Sequence, residues 1–513
     1  MNLVNWVSDH CPIIFEVKEK SKRLNYKRRS FPRDHYEDMW SSYEGCNNIV
    51  KGEWDLFEAR RWESAVQQFQ RVAKRSLALL KIWSKKEFEV LSLQSISSEE
   101  KNKIWGVEDS QGHWINEQEE IEREFCDYFQ QLFTSTRPSQ SQINEALKEM
   151  LPKVTPEMND YLEEPFTLED ITSALSYMYP TKAPGPDGLP VVFFQKHWQI
   201  VGSRVTKTCL HILNEQGTLE SLNHTFIALI PKIEKTRVVS NFRPINLCNV
   251  VYRIITKAIA NRLKPILTYI ISPNQSAFIP DRLITDNVII GYECLHKIRH
   301  SKGKTNGLMA LKLDISKTYN RIEWNFLEQS LIALGFSTKC IGLIMRCITT
   351  ALFLIIINGS LVGLIQPQRG LRQGCPLSSY LFILCAEVFS NLLTQAEMEQ
   401  KFRSLRFSKD VTISHLLFAD DSLIFSRASV ADCKVLKEIF DYYAKASGQI
   451  FNLEKSSMFF SGSVTNNQLT AIRKLLQLKV VSKYEKYLGL PFMLGRKKMS
   501  FFREVKLKVL SKI

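Results

Sequence analysis

Two adjacent aspartates, Asp420 and Asp421, interrupt the apolar segment SHLLFADDSLIFS. The pattern predicts two short strands joined by an acidic tip. Neighbouring carboxylates beside a low-dielectric core repel each other and lose hydration, which is costly. A surface turn is one explanation, because Asp is common in turns. A shared divalent cation is the other, and oxygen-only ligands suit Mg2+ or Mn2+ rather than zinc. A third acid, Asp314, ends the predicted strand LMALKLD and can point into the same site. It can also cap the helical pattern SKTYNRIEW, and the two roles are compatible. Three carboxylates can hold two metal ions for in-line phosphoryl transfer, one activating the attacking hydroxyl and one stabilising the departing pyrophosphate.

The elements that must carry these acids are legible in outline. GLMALKLDI reads as a strand, and FLIIINGSLVGLIQ as two strands joined by an Asn-Gly turn. PLSSYLFILCAEVFSNLLTQAE reads as a helix with Pro376 in its first turn. Between Phe166 and Ile271 helical patterns alternate with turns and one extended run, HTFIALIPK. From about Lys18 to Phe133 the chain is charged, aromatic and mostly helical in pattern, as in EQEEIEREFCDYFQQLF, and STRPSQSQ then reads as a linker. CPIIFEV near the start reads as a short strand.

The chain has 513 residues, more than one core usually organises, so several structural units are expected. Hydrophobic residues make up 44% and charged residues 24%, the profile of a folded protein rather than a disordered one. Lys and Arg total 68 against 53 Asp and Glu, a formal charge of +15. That excess fits either an ordinary basic surface or a polyanionic partner whose phosphates release counterions on binding. The 11 cysteines include no CxxC pair and no zinc-ligand spacing, which favours reduced thiols. No signal-peptide pattern is present, and no stretch reads as apolar for long enough to span a bilayer. A soluble nuclear or cytoplasmic protein is expected.

Several blocks carry a family resemblance. KLDISKTYNRIEW, GLRQGCPLSSYLFILCAE, FADDS, ASGQIFNLEKS and KYLGLP resemble, in order, the polymerase motifs of LINE-type reverse transcriptases, those of non-LTR retrotransposons. Upstream, KAPGPDGLP, LIPK, NFRPINLCNVVYRIITKAIANRL and ISPNQSAFIPDR resemble the fingers motifs of the same family, so the similarity covers about residues 166–494. The resemblance implies an α+β right hand: fingers over 166–305, palm over 306–483, and primer grip with a partial thumb over 484–513. A helical extension would occupy 18–165. It implies an RNA-directed DNA polymerase working by target-primed synthesis, with an RNA template, a DNA primer or target, deoxynucleotides and two Mg2+ or Mn2+ ions, and no membrane.

Carried over residue by residue, Asp314, Asp420 and Asp421 become the metal ligands. Lys232 and Arg243 would clamp the triphosphate, Arg through its planar fork, although a solvated surface cation is the plain alternative for each. Tyr319 would lie under the incoming sugar and clash with a 2′-hydroxyl; otherwise it is a half-buried helix tyrosine. Gln373 and Gly374 would contact the nucleotide, Gly allowing close backbone approach. Lys455 would protonate the leaving pyrophosphate, or is a surface lysine. Tyr487, Leu488 and Gly489 would grip the primer. The loop residues Pro184, Gly185, Pro186 and Gly188 read as shaping a tight turn.

Residues 1–17, with Ser8-Asp9-His10, resemble the closing motif of the endonuclease that precedes such polymerases. Asp9 and His10 are then inactive remnants, and no nicking is expected. Together with the abrupt KLKVLSKI end, this implies a truncated, plant-like copy of an element. Asn320 and Cys375 stand where the family usually has Asp, and Ser379 where it usually has Pro. Two other readings stay open: a catalytically dead RNA-binding remnant, and a maturase-like splicing factor.

Overall fold

The computed structural model describes residues 35–55, 63–87, 103–233, 236–301, 307–481 and 487–488. The endonuclease-like segment with Asp9 and His10, the CPIIFEV strand and Gly489 lie outside these residues. Helices dominate, and two larger sheets carry the residues of interest.

The strands run in chain order as β1 (Val107–Glu108), β2 (Trp114–Ile115), β3 (His224–Pro231), β4 (Phe242–Cys248), β5 (Leu308–Leu313), β6 (Leu352–Ile357) and β7 (Ser360–Ile365). They continue as β8 (Leu405–Arg406), β9 (Thr412–Ile413), β10 (His415–Phe418), β11 (Asp421–Arg427), β12 (Ser457–Phe460) and β13 (Lys479–Val480). One sheet has the order β10-β11-β5-β12-β13, antiparallel except for the last pair. The other has the order β4-β3-β6-β7, with β3 and β6 parallel. The small β1–β2 hairpin interrupts the N-terminal region read as helical.

Alternation of side chains buries both faces of the five-stranded sheet. Met309, Leu311 and Leu313 join the main core with Ile424 and Met458. Ala310, Leu423, Phe425 and Phe459 pack on the opposite side against Cys294, Leu295 and Ile298 of the helix Ile284–His300. Such a sheet is stiff, since each large apolar side chain so buried contributes about 1.5–3 kcal/mol. The Asn358-Gly359 turn between β6 and β7 forms as expected, both residues taking positive φ.

The four-stranded sheet is covered by the helix Gln118–Phe133. Its Ile121, Phe125, Phe129, Leu132 and Phe133 recur at three- and four-residue steps and form one buried stripe against Phe353, Ile355 and Ile365. The segment after it is anchored, not a loose linker. Ser135 Oγ donates to Glu323 at 2.6 Å, and the Thr136 amide and hydroxyl both donate to Glu323 at 2.9 Å. Arg369 completes this buried cluster at 3.1 Å.

Two further readings are corrected. The helix Ser378–Met398 starts after Pro376, with Leu377 at its N-cap, so the proline precedes the first turn. That helix is also long and apolar enough to cross a membrane, contrary to the expectation that no stretch was. Its most apolar window is 67% buried inside the protein, which accounts for its composition as a core helix. The ten described cysteines are free thiols, as expected, and all but Cys126 are buried.

Candidate active site

The acids are brought together by strand register. Ser422 of β11 pairs with Leu313 of β5, so the next rung sets Asp314 opposite Asp421. Opposed residues of an antiparallel pair lie about 4.5–5.5 Å apart at Cα. Phe418 pairs with Asp421 across the hairpin, which leaves Ala419 and Asp420 as its two-residue turn. All three acids therefore sit at one end of one sheet. Asp420 is exposed and the other two are half-buried. Among the described residues no three His, Cys, Asp or Glu groups stand close enough together to hold a metal ion, so the acids share a sheet end without forming a closed cage.

Asp314 is held from behind. Its amide donates to Ser456 Oγ at 3.1 Å, and its carbonyl accepts from the Asn452 amide at 2.8 Å. Ile315 bridges to Phe451, and Ser316 N–H donates to the Ile450 carbonyl at 2.8 Å. Segment 450–456 is thus the brace for the first acid. It carries Lys455, whose own amide donates to Asn452 Oδ1 at 3.2 Å while its side chain is exposed. Asp314 does not cap the following helix: Lys317 occupies the N-cap of Thr318–Arg321, in a left-handed conformation with φ 50°.

The cations arrive from the other sheet. Arg243 pairs with Ile230 at the end of the β3–β4 hairpin. Just beyond it, the Lys232 amide donates to the Asn241 carbonyl at 2.9 Å, and Nζ donates to the Ser240 carbonyl at 3.1 Å. Burial pulls the Lys232 pKa below its ordinary value, the positive charges of Lys455 and Arg243 lower it further, and the Asp314 carboxylate opposes them. Lys232 thus feels charges from its own hairpin and from two other chain segments near the acid end of the sheet.

Tyr319 lies near Asp420. Its hydroxyl donates to Ser379 Oγ at 3.3 Å, and its ring sits 5.3 Å from that of Phe382. Burial raises its pKa to about 12, the Ser379 bond lowers it and the Asp420 charge raises it further. Ser379, where the family usually has Pro, thereby finds a partner. Gln373 and Gly374 lie against β4. The Gln373 carbonyl accepts from the Asn246 amide at 3.2 Å and its side chain at 3.3 Å, and Gly374 takes φ 103°, a conformation that a side chain would strain. Cys375 is buried, its sulfur 3.8 Å from the Tyr252 hydroxyl.

Tyr487 is anchored in the protein interior. Its side chain is 1% exposed and packs with Phe425, Phe459 and the helix Ile284–His300, with Leu488 partly buried against the same cluster. Burial pushes its hydroxyl pKa up, and the nearby Asp421 charge adds to the rise.

Sequence reasoning missed Arg372, one residue before Gln373. It is buried, and its charge is influenced by Tyr252 and three cysteines rather than by a carboxylate among the described residues. Its guanidinium donates to Asn223 Oδ1, the Tyr252 hydroxyl, Thr225 Oγ1 at 3.2 Å and the Cys347 carbonyl at 2.8 Å, and lies 4.0 Å over the Tyr252 ring. It ties the loop bearing Gln373 to β3 and two helices. The sequence signal was only an Arg amid GLRQG, and its acceptors come from distant segments.

The chain is similar to several known proteins. The family described as Reverse transcriptase (RNA-dependent DNA polymerase) matches residues 230–492, just over half the chain. The Transposon TX1 uncharacterized 149 kDa protein of Xenopus laevis is 32% identical over 363 residues, which is 71% of this chain and 27% of that protein. An uncharacterized mitochondrial protein of Arabidopsis thaliana is 41% identical over 112 residues, 22% of this chain and 91% of its own length. The Retrovirus-related Pol polyprotein from type-1 retrotransposable element R2 of Popillia japonica is 28% identical over 201 residues, 39% of this chain and 32% of that one. The chain thus spans roughly a third or less of the length of the TX1 and R2 proteins it matches here. It belongs to the reverse transcriptase (RNA-dependent DNA polymerase) family, and within that family it is similar to the proteins of non-LTR retrotransposable elements.

Proposed function

We propose that the chain is an RNA-directed DNA polymerase that extends a DNA primer on an RNA template by target-primed synthesis. The observation that carries this reading is the register that sets Asp314 beside Asp421 and the Asp420 turn, with Lys232 near enough to feel the charges of Asp314, Arg243 and Lys455. In this reading β5 and β10–β12 belong to the palm (306–483), the β3–β4 hairpin to the fingers (166–305), and the chain from 484 to the primer grip and thumb.

The donor set fits magnesium or manganese: oxygen-only carboxylates from two strands at one exposed sheet end. Asp314, Asp420 and Asp421 would hold the ions, which when bound supply charge neutralisation for in-line nucleotidyl transfer. Lys232 and Arg243 bind the triphosphate, and their mutual repulsion favours an anionic ligand between them. Tyr319, wedged on Phe382 and tied to Ser379, is a rigid wall against a 2′-hydroxyl. Gln373 and Gly374 present backbone to the nucleotide. Lys455, on the brace of Asp314, donates a proton to the departing pyrophosphate. Tyr487, Leu488 and Gly489 form the primer grip, the buried Tyr487 ring anchoring it on the cluster of Phe425 and Phe459. The element's own RNA and a nicked chromosomal end are the natural substrates of this reading, in a ribonucleoprotein of nucleus or cytoplasm.

Asn320 and Cys375 are accommodated. Both are buried, and neither belongs to the acid set. The test is dTTP incorporation on poly(rA)/oligo(dT) with Mg2+ or Mn2+, beside the double variant Asp420→Ala, Asp421→Ala. Incorporation by the wild type that disappears in the variant supports the proposal. RNA binding without incorporation supports a non-catalytic remnant instead.

A further inference from the structure

The turn that carries Asp420 has an unusual backbone. Ala419, the first of its two residues, takes φ 53°. Two-residue hairpin turns with positive φ at that place ordinarily use glycine, and an alanine there costs about 1–2 kcal/mol. Something outside the hairpin must hold it.

The holder is Gln275, from the segment ISPNQSAFIPDR. Its Oε1 accepts two amide hydrogens, from Ala419 at 3.1 Å and from Ala277 at 3.0 Å. Both partners are N–H donors, so the side-chain orientation is fixed: only oxygen can face them. Gln275 is 1% exposed, and its Nε2 is buried without a hydrogen-bond partner among the described residues. A buried unsatisfied amide is unfavourable, and the chain accepts it in order to keep the acceptor where it is.

The segment bearing Gln275 is itself fastened to β10. Gln275 bridges to Leu417 in parallel register; the Leu417 amide donates to the Asn274 carbonyl at 2.8 Å, and the Ser276 amide to the Leu417 carbonyl at 3.1 Å. Asn274 Nδ2 donates to the His415 carbonyl at 2.8 Å, and Asn287 Nδ2 to the Leu417 carbonyl at 2.9 Å. Arg282 grips the Gln275 carbonyl at 2.6 Å and that of Ile271 at 2.9 Å. Residues 274–276 therefore cover the outer edge of the sheet, and Gln275 projects from this cover onto the acid turn.

We infer that Gln275 is a positioning residue: it clamps the left-handed Ala419 peptide and so sets the spacing of Asp420 and Asp421 relative to Asp314. The inference rests on the proposed polymerase reading for its purpose, but the clamp has a readout of its own. In the full chain, Gln275→Leu keeps the volume and removes the acceptor. Amide hydrogen exchange of the peptide spanning β10, the turn and β11 then speeds up roughly five- to tenfold, the factor one ordinary hydrogen bond is worth. The Mg2+ concentration for half-maximal dTTP incorporation rises by a similar factor. Adding Ala419→Gly to Gln275→Leu restores both, because glycine adopts positive φ without a clamp. Unchanged exchange in Gln275→Leu, or no recovery in the double variant, overturns the inference. If the wild type incorporates no nucleotide, the polymerase reading fails and the exchange comparison still decides the clamp. If Gln275→Leu does not fold, Gln275→Met, which keeps the length and lacks the oxygen acceptor, decides it: accelerated exchange supports the clamp, and wild-type exchange overturns it.

Discussion

Tyr319 is the residue whose role can be separated most cleanly from folding. It packs on Phe382 and bonds Ser379 at 3.3 Å, so its ring has little freedom to retreat from a ligand beside Asp420. Tyr319→Val should raise ribonucleotide relative to deoxynucleotide incorporation by about 10- to 100-fold, in the range that steric discrimination of one small group supplies. Competing rUTP against dTTP on the same template measures it, and an unchanged ratio removes Tyr319 from sugar selection. The paired acids were legible because adjacent carboxylates beside apolar strands are costly, whereas Gln373 and Gly374 were singled out by the family resemblance alone. Buried helpers were not. Arg372 and Gln275 look like ordinary polar residues until Tyr252 and Ala419, far away in sequence, are seen to meet them.

Elements explain why the acids stand still. Glu323 joins Arg369, Ser135 and Thr136, tying the end of the helix Gln118–Phe133 to the segment after Asp314. Both partners of the ion pair are at most 5% exposed, so Glu323→Ala leaves a buried uncompensated charge and should destabilise by about 3–5 kcal/mol. Urea denaturation checks this, and adding Arg369→Met should return part of the loss. β10 has its own sensitivity. His415 is buried, bonded to Ser390 at 2.7 Å and Ser414 at 3.0 Å, and burial lowers its pKa from 6.5 to about 3. The unfolded chain takes up this proton between those values and the folded chain does not, so stability is lost as pH falls from about 6.5 towards 3. His415→Gln removes that slope; melting curves at pH 7 and pH 5 should show the wild type losing more than the variant. An equal loss contradicts the assignment. Strands that are nearly continuous apolar runs, β5 and β10–β11, were readable from sequence. β4 was not, because Pro244 argues against a strand interior; it is tolerated because β4 is the edge of its sheet.

At the scale of the whole molecule, one sheet supplies the acids and another supplies cations, and a formal charge of +15 favours a polyanion over either. The N-terminal helices belong to this body: Gln118–Phe133 buries its aromatic stripe on the cation-bearing sheet. The central claim is that Asp314 and the Asp420–Asp421 turn form one cation site. Replacing Mg2+ by Fe2+ and supplying ascorbate and peroxide cuts the backbone next to the bound ion. The account predicts cleavage at two places in the same molecules, around Asp314 and around Asp420–Asp421, and loss of both cuts in Asp314→Asn. Cleavage at one place only, or cutting at the hairpin that survives Asp314→Asn, would contradict it.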